Sequence, residues 1–291
     1  MNKEIVINGS KICYRVSGHG NPVVLLHGFG EDGTVWKQQA PSNSPEGGKL
    51  GPSQTPPSEG LYTSPIEHSS LFNKFQFIIP DLPGSDKSEL INDMSMEGMA
   101  GIIKEILFAE AIPICTMIGH SMGGYITLAF AEKYPELLNG FGLFHSSSYA
   151  DSEEKKATRR KGIEFIKEHG AFEFLKTATP NLYSPITKDE RPELIDEQLA
   201  GLRNFSSIAL VNYYEAMMQR PDRTTVLKET PLPVLFMMGK YDNAVPMKDS
   251  LEQCHLPGKS YIHILHNAGH MGMLEEPGKS NKMLKDFLLD I

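Results

Sequence analysis

The chain has little that would tie it to a membrane, a nucleic acid or an oxidising compartment. It carries three cysteines, Cys13, Cys115 and Cys254. They are odd in number and far apart, so neither a disulfide framework nor a zinc knuckle fits, and reduced thiols are expected. No apolar run approaches the ~18 residues that a membrane-spanning helix needs. Long basic runs are also missing, and a formal net charge of −8 offers no cationic surface to nucleic acid or anionic lipid. The densest basic stretch, Lys155 to Lys161, follows acidic residues and fits a solvated helix face. The start passes from Lys3-Glu4 straight into alternating apolar residues without an apolar leader, and a cytoplasmic location is expected. There is no Walker loop, and the first strand-to-helix turn lacks G-x-G-x-x-G, so no phosphate-bearing cofactor is expected.

What is present is a series of short apolar runs. Asn8-Gly9 turns a hairpin between Ile5–Ile7 and Lys11–Val16. Val23–Leu26, Phe75–Pro80, Ile114–Ile118, Gly140–Phe144, Val234–Met238 and Tyr261–Leu265 are nearly unbroken apolar segments, as strands covered on both faces require. Helix-period stretches separate most of them, which predicts an α/β fold with a doubly wound, mostly parallel sheet. Two segments break this rhythm. Residues 41–70 hold six prolines, four glycines and seven serines, and read as a disordered or floppy insertion after a short helix at Gly33–Gln39. Tyr149–Thr230 is helix-like throughout, with helices predicted at Glu153–His169, Ala171–Ala178, Pro192–Arg203 and Ser206–Gln219. The expected division is a core of 1–148 and 231–291 and a helical cap of 149–230 over the crevice at the strand ends.

One pentapeptide brings chemistry. Gly119-His120-Ser121-Met122-Gly123 lies between an apolar run and a helix-like stretch, the setting of a nucleophile elbow that lifts a serine hydroxyl clear of the backbone. Side chains two residues before and after the serine would clash in that bend, which accounts for Gly119 and Gly123. A serine needs a base, and the base needs an orienting acid. His270 follows the last strand in a glycine-containing loop, and Asp242 follows the preceding strand after a short turn. Ser121, Asp242 and His270 each lie just beyond the carboxyl end of a predicted strand, and parallel strands bring those ends to one edge. Donors for an oxyanion are expected from the backbone N–H of Met122, at the helix start, and of Phe29, in His27-Gly28-Phe29-Gly30.

Other residues have competing readings. His120, beside the serine, fits packing against the sheet, with substrate contact as the rival reading, and His145 is a candidate for facing the crevice and contacting substrate. Tyr213, Tyr214, Met217 and Met218 could line an apolar acyl pocket, although ordinary helix packing is the stronger reading of the same residues. His27 fits a role in orienting its loop, and Asp81 fits a loop-stabilising carboxylate because it precedes the elbow. His263, His266 and His270 fall within eight residues. Their positions in and beyond an alternating strand make the rings diverge, and no metal site is expected.

Taken together, H-G-F-G at 27–30, D-L-P-G at 81–84, G-H-S-M-G-G at 119–124, G-K-Y-D at 239–242 and G-H-M at 269–271 resemble the serine hydrolases of the α/β-hydrolase fold. The resemblance spans nearly the whole chain apart from 41–70, and lies closest to small esterases, lactonases and pimeloyl-carrier methyl ester esterases with a helical cap. One departure stands out. Such enzymes carry a second glycine two residues after D-L-P-G, where this chain has Asp86, so Asp86 is expected near positive φ. The resemblance implies hydrolysis of a small-molecule carboxylic ester through an acyl-enzyme on Ser121. Lactonase, thioesterase, C–C hydrolase and lyase chemistry with the same triad stay open, as does a non-catalytic receptor on this fold.

Overall fold

A computed structural model describes residues 1–40 and 74–291. The insertion expected at 41–70 lies outside the described residues. The chain opens with the hairpin β1 (Asn2–Ile7) and β2 (Ser10–Gly18). Asn8 and Gly9 between them adopt φ of 50° and 90°, the left-handed pair that a two-residue hairpin turn demands. β3 (Asn21–Leu26), β4 (Phe75–Pro80), helix α1 (Met96–Ala109), β5 (Cys115–His120), helix α2 (Met122–Lys133) and β6 (Leu138–Phe144) follow. Six helices come next: α3 (Glu153–His169), α4 (Ala171–Ala178), α5 (Pro185–Glu190), α6 (Glu193–Gly201), α7 (Ser207–Gln219) and α8 (Thr224–Glu229). The chain then returns through β7 (Val234–Gly239), α9 (Met247–Leu251), β8 (Ser260–Leu265), α10 (Gly272–Glu275) and α11 (Pro277–Asp290).

The strands form one eight-stranded sheet in the order β1-β2-β4-β3-β5-β6-β7-β8. β1 and β2 enter antiparallel, and every pairing from β4 to β8 is parallel. β3 shows why the runs are apolar throughout. Val23 and Leu25 belong to one hydrophobic core with Trp36 and Phe287 of α11, while Val24 and Leu26 belong to the other with Ile103 of α1 and Ile126 of α2. Successive side chains point to opposite faces, and both faces are covered.

Serine hydroxyls start several helices. Ser95, Ser152 and Ser206 accept the backbone N–H of Gly98, Lys155 and Ala209 at the N-termini of α1, α3 and α7. The expected helix at Gly33–Gln39 is instead a 3₁₀ turn over Gly33–Trp36. Asp32 caps it through Thr34 N, and i to i+3 bonds such as Lys37 N–H to Thr34 O keep it tight. Among the described residues no helix is long and apolar enough to cross a membrane.

Candidate functional site

The carboxyl ends of β3, β5, β6, β7 and β8 meet along one edge, and the polar residues cluster there. Ser121 follows β5 and starts α2 with φ 51° and ψ −115°, a conformation costing of order 1–3 kcal/mol that surrounding bonds must hold in place. Its N–H donates to Phe144 O at 3.0 Å, and Ser146 Oγ donates to its carbonyl at 2.8 Å. The glycines on either side are required by close backbone approach. A Cβ on Gly119 would lie 2.2 Å from Gly123 O, and one on Gly123 would lie 2.6 Å from Leu26 O.

Asp242 is buried, and its four hydrogen bonds divide evenly. Oδ1 accepts the backbone N–H of Ala244 and Val245, both at 2.9 Å. Oδ2 accepts His270 Nδ1 at 2.8 Å and His145 Nδ1 at 2.9 Å. Burial alone would raise the Asp242 carboxyl. The charge of His270 and the hydrogen bonds from both rings outweigh it and hold Asp242 well below the usual carboxylate range. For His270, burial works against the charged form, but the charge and hydrogen bond of Asp242 prevail and raise the ring, with Glu31 and Glu275 adding to the effect. His145 behaves the other way: burial wins over Asp242 and pushes it down to about 4. It is therefore neutral near pH 7, with its proton on Nδ1 and a bare, buried Nε2 that has no partner among the described residues.

Ser121 and His270 line the same cavity of about 440 Å³. No hydrogen bond joins the Ser121 hydroxyl to His270 in this structure. Phe29, in the loop after β3, lines the cavity too. A Cβ on neighbouring Gly28 would lie 3.1 Å from Ser121 Cβ, so this loop runs directly beside the serine. Neither Phe29 N–H nor Met122 N–H, at the first turn of α2, has an acceptor among the described residues.

The remaining sequence candidates separate. Met217 of α7 lines the cavity, as does Tyr214. Tyr213 does not: it is fully buried and its hydroxyl donates to Pro83 O at 2.8 Å. His120 and His145 are also withdrawn from the cavity. His120 spends both nitrogens inside the protein, on Glu31 and the His270 carbonyl, while His145 spends Nδ1 on Asp242 and keeps its Nε2 buried. As direct substrate contacts His120, His145 and Tyr213 are thus corrected, because each polar atom that would reach a ligand points into the protein. His27 fixes its own loop as expected: Leu82 N–H donates to Nε2 at 2.9 Å, so the ring proton sits on Nδ1, 2.9 Å from Gly28 O. Asp81 accepts Gly33 N–H at 2.9 Å, and Asp86 stands at φ 42°.

Two carboxylates escaped the sequence reading. Glu275 of α10 takes Gly269 N–H and Met271 N–H on one oxygen, and Ser184 N–H and the Thr187 hydroxyl on the other. It thereby fastens the His270 loop to the start of α5. Glu31, four residues after His27, takes Gly28 N–H at 2.7 Å and His120 Nδ1 at 3.0 Å. As for a cation, His145, Asp242 and His270 bring possible ligand atoms within 4.8 Å of one another, while His263 and His266 do not join them. Both Nδ1 atoms are already aimed at a single Asp242 oxygen, so an ion there would have to displace two hydrogen bonds.

Fold and site together define an α/β hydrolase. The family model of the alpha/beta hydrolase family matches residues 23–280, and the chain belongs to that family. Its structure is similar to that of a thermophilic esterase from Thermogutta terrifontis, solved with malate bound, at 25% identity and a TM-score of 0.84, covering 100% of this chain and 98% of that one. An enol-lactonase from Burkholderia xenovorans LB400 shares the fold, with 17% identity, a TM-score of 0.82, and 99% of this chain and 100% of that one covered. In sequence the chain is 25% identical over 293 residues to the 2-hydroxy-6-oxo-6-phenylhexa-2,4-dienoate hydrolase of Comamonas testosteroni, covering 95% of this chain and 91% of that protein.

Proposed function

We propose that this hydrolase cleaves a carboxylic ester of a small or medium-sized molecule through an acyl-enzyme on Ser121. The observation that carries the reading is the His270 ring, held at Nδ1 by buried Asp242 and lining the same cavity as a serine in a strained elbow conformation. With Nδ1 protonated and bound to Asp242, Nε2 is the lone-pair nitrogen left to accept the serine proton. As Ser121 Oγ bonds to the ester carbon, its proton passes to His270 Nε2 and the carbonyl oxygen becomes an oxyanion. The N–H groups of Phe29 and Met122 receive that charge. Collapse of the intermediate breaks the ester C–O bond, and the imidazolium returns its proton to the leaving alkoxide. Water then repeats the cycle on the acyl-serine and releases the acid.

The wall formed by Tyr214, Met217 and Leu175 is apolar and suits the acyl or alcohol part of such a substrate. Similarity to the Thermogutta terrifontis esterase supports the ester reading. Similarity to the Comamonas testosteroni hydrolase supports a second reading, C–C bond hydrolysis on the same residues. Replacing Ser121 by Ala tests the first: turnover of p-nitrophenyl acetate should drop by about 10⁶-fold. Retention of that activity in the variant would remove Ser121 from the chemistry.

A further inference from the structure

Both ring nitrogens of His120 face acceptors. Nδ1 lies 3.0 Å from Glu31 Oε2, and Nε2 lies 2.9 Å from the backbone carbonyl of His270. A neutral imidazole has one N–H, so it would leave one of those two contacts lone pair against lone pair. Both side chains are buried, which makes an unsatisfied contact costly. The same Glu31 oxygen also receives Gly28 N–H at 2.7 Å, as an ionised carboxylate can.

We propose that Glu31 and His120 form a buried carboxylate–imidazolium pair that positions the oxyanion loop and the His270 loop relative to the nucleophile. The protonation it requires is independent of the function proposed above; the effect on turnover rests on that reading. One ring ties three loops together. Its Nδ1–H reaches the loop after β3, its Nε2–H grips the loop after β8, and its backbone adjoins Ser121. Because Glu31 takes up the Gly28 N–H, the Phe29 N–H is the neighbouring donor that remains for the oxyanion.

Burial would raise the Glu31 carboxyl, yet the charge and hydrogen bond of His120, with the Gly28 N–H and the more distant His27, hold it below the ordinary range. The other titratable groups against the ring are His270, at 4.8 Å between ring centroids, and His145, at 6.0 Å. Trp36 and Phe144 close its remaining sides with ring edges. The competing arrangement, a neutral Glu31 donating to Nδ1, would place the hydroxyl on the oxygen that already receives Gly28 N–H.

Long-range ¹H–¹⁵N spectra of the ¹⁵N-histidine-labelled wild-type protein at pH 8 decide between them, with the His120 signals assigned by their loss in His120→Asn. Two protonated nitrogens are expected on His120. A single unprotonated nitrogen on that ring overturns the proposal, whether or not the protein cleaves esters. Glu31→Gln keeps the shape and removes the charge. In it the His120 ring should carry one proton at pH 8, and kcat on p-nitrophenyl acetate should fall up to about a hundredfold while KM moves by less than about threefold. An unchanged His120 signal or an unchanged kcat in that variant contradicts the positioning role.

Discussion

The carboxyl edge of the sheet and the helices between β6 and β7 both face the cavity, but they are built by different rules. At the sheet edge nearly every polar atom is committed. Asp242 and Glu275 each hold four donors, and the Ser121 backbone is bonded at both its N–H and its carbonyl. The helical wall is made of contacts that tolerate adjustment. Tyr214 stacks on Phe29 at 4.2 Å between ring centroids, and Phe174 meets both rings edge-on. Arg159 of α3 binds Asp151 through Nε and Nη2, and its guanidinium lies over the Tyr214 ring at 5.3 Å. A network of satisfied hydrogen bonds has one good arrangement, whereas an aromatic and aliphatic wall has several of similar energy. Damage at the edge should therefore remove chemistry, and damage in the wall should redistribute it among substrates.

Asp242→Asn sets the largest contrast. It removes the charge that favours protonated His270 and disturbs the tautomer, so kcat should fall about 10⁴-fold. In the proposed mechanism His270 must be neutral to accept the serine proton, and its pKa is raised above 6.5 in the wild type. The rise of kcat/KM with pH should thus occur above pH 6.5 in the wild type and shift to lower pH in the variant. An unshifted profile with full turnover would mean that Asp242 does not act on His270. Phe29→Pro deletes one backbone donor at the edge of the same cavity. A loss of about 10²–10³-fold in kcat with KM nearly unchanged is expected on a p-nitrophenyl ester, and equal activity would refute the assignment of that N–H. Met217→Ala enlarges the helical wall and should give the smallest effect. Relative kcat/KM across acyl esters of graded length should shift by about 10- to 200-fold toward longer chains, with little change on the acetate. A uniform loss across the series would instead place Met217 among the residues that hold the chemistry together.

The same contrast explains what the sequence disclosed. The strands were legible because burial on both faces forces unbroken apolar runs, as in Val23–Leu26 and Val234–Met238. The elbow was legible because Gly119 and Gly123 are demanded by contacts within a few residues or with the neighbouring strand. Asp86 could be placed at positive φ from a missing glycine alone. The short helices α5 and α8, of six residues each, escaped because a helical period needs a longer window to declare itself. Glu31 and Glu275 were invisible for another reason. Glu31 meets His120 across 89 residues, and Glu275 meets Ser184 across 91, distances over which no local pattern runs. The histidines after the strands announced polar ends but not their partners, so the contacts by which His120 and His145 brace the loops were not legible.

Rapid mixing of the wild-type protein with excess p-nitrophenyl acetate, combined with acid quenching and peptide mass analysis, tests the acyl-enzyme most directly. One equivalent of p-nitrophenol should appear before steady state, and an acetyl group should be recovered on the peptide that contains Ser121. Linear release from the first turnover with no acetyl on Ser121, in an enzyme whose deacylation has been slowed by low pH, would contradict covalent catalysis by this serine.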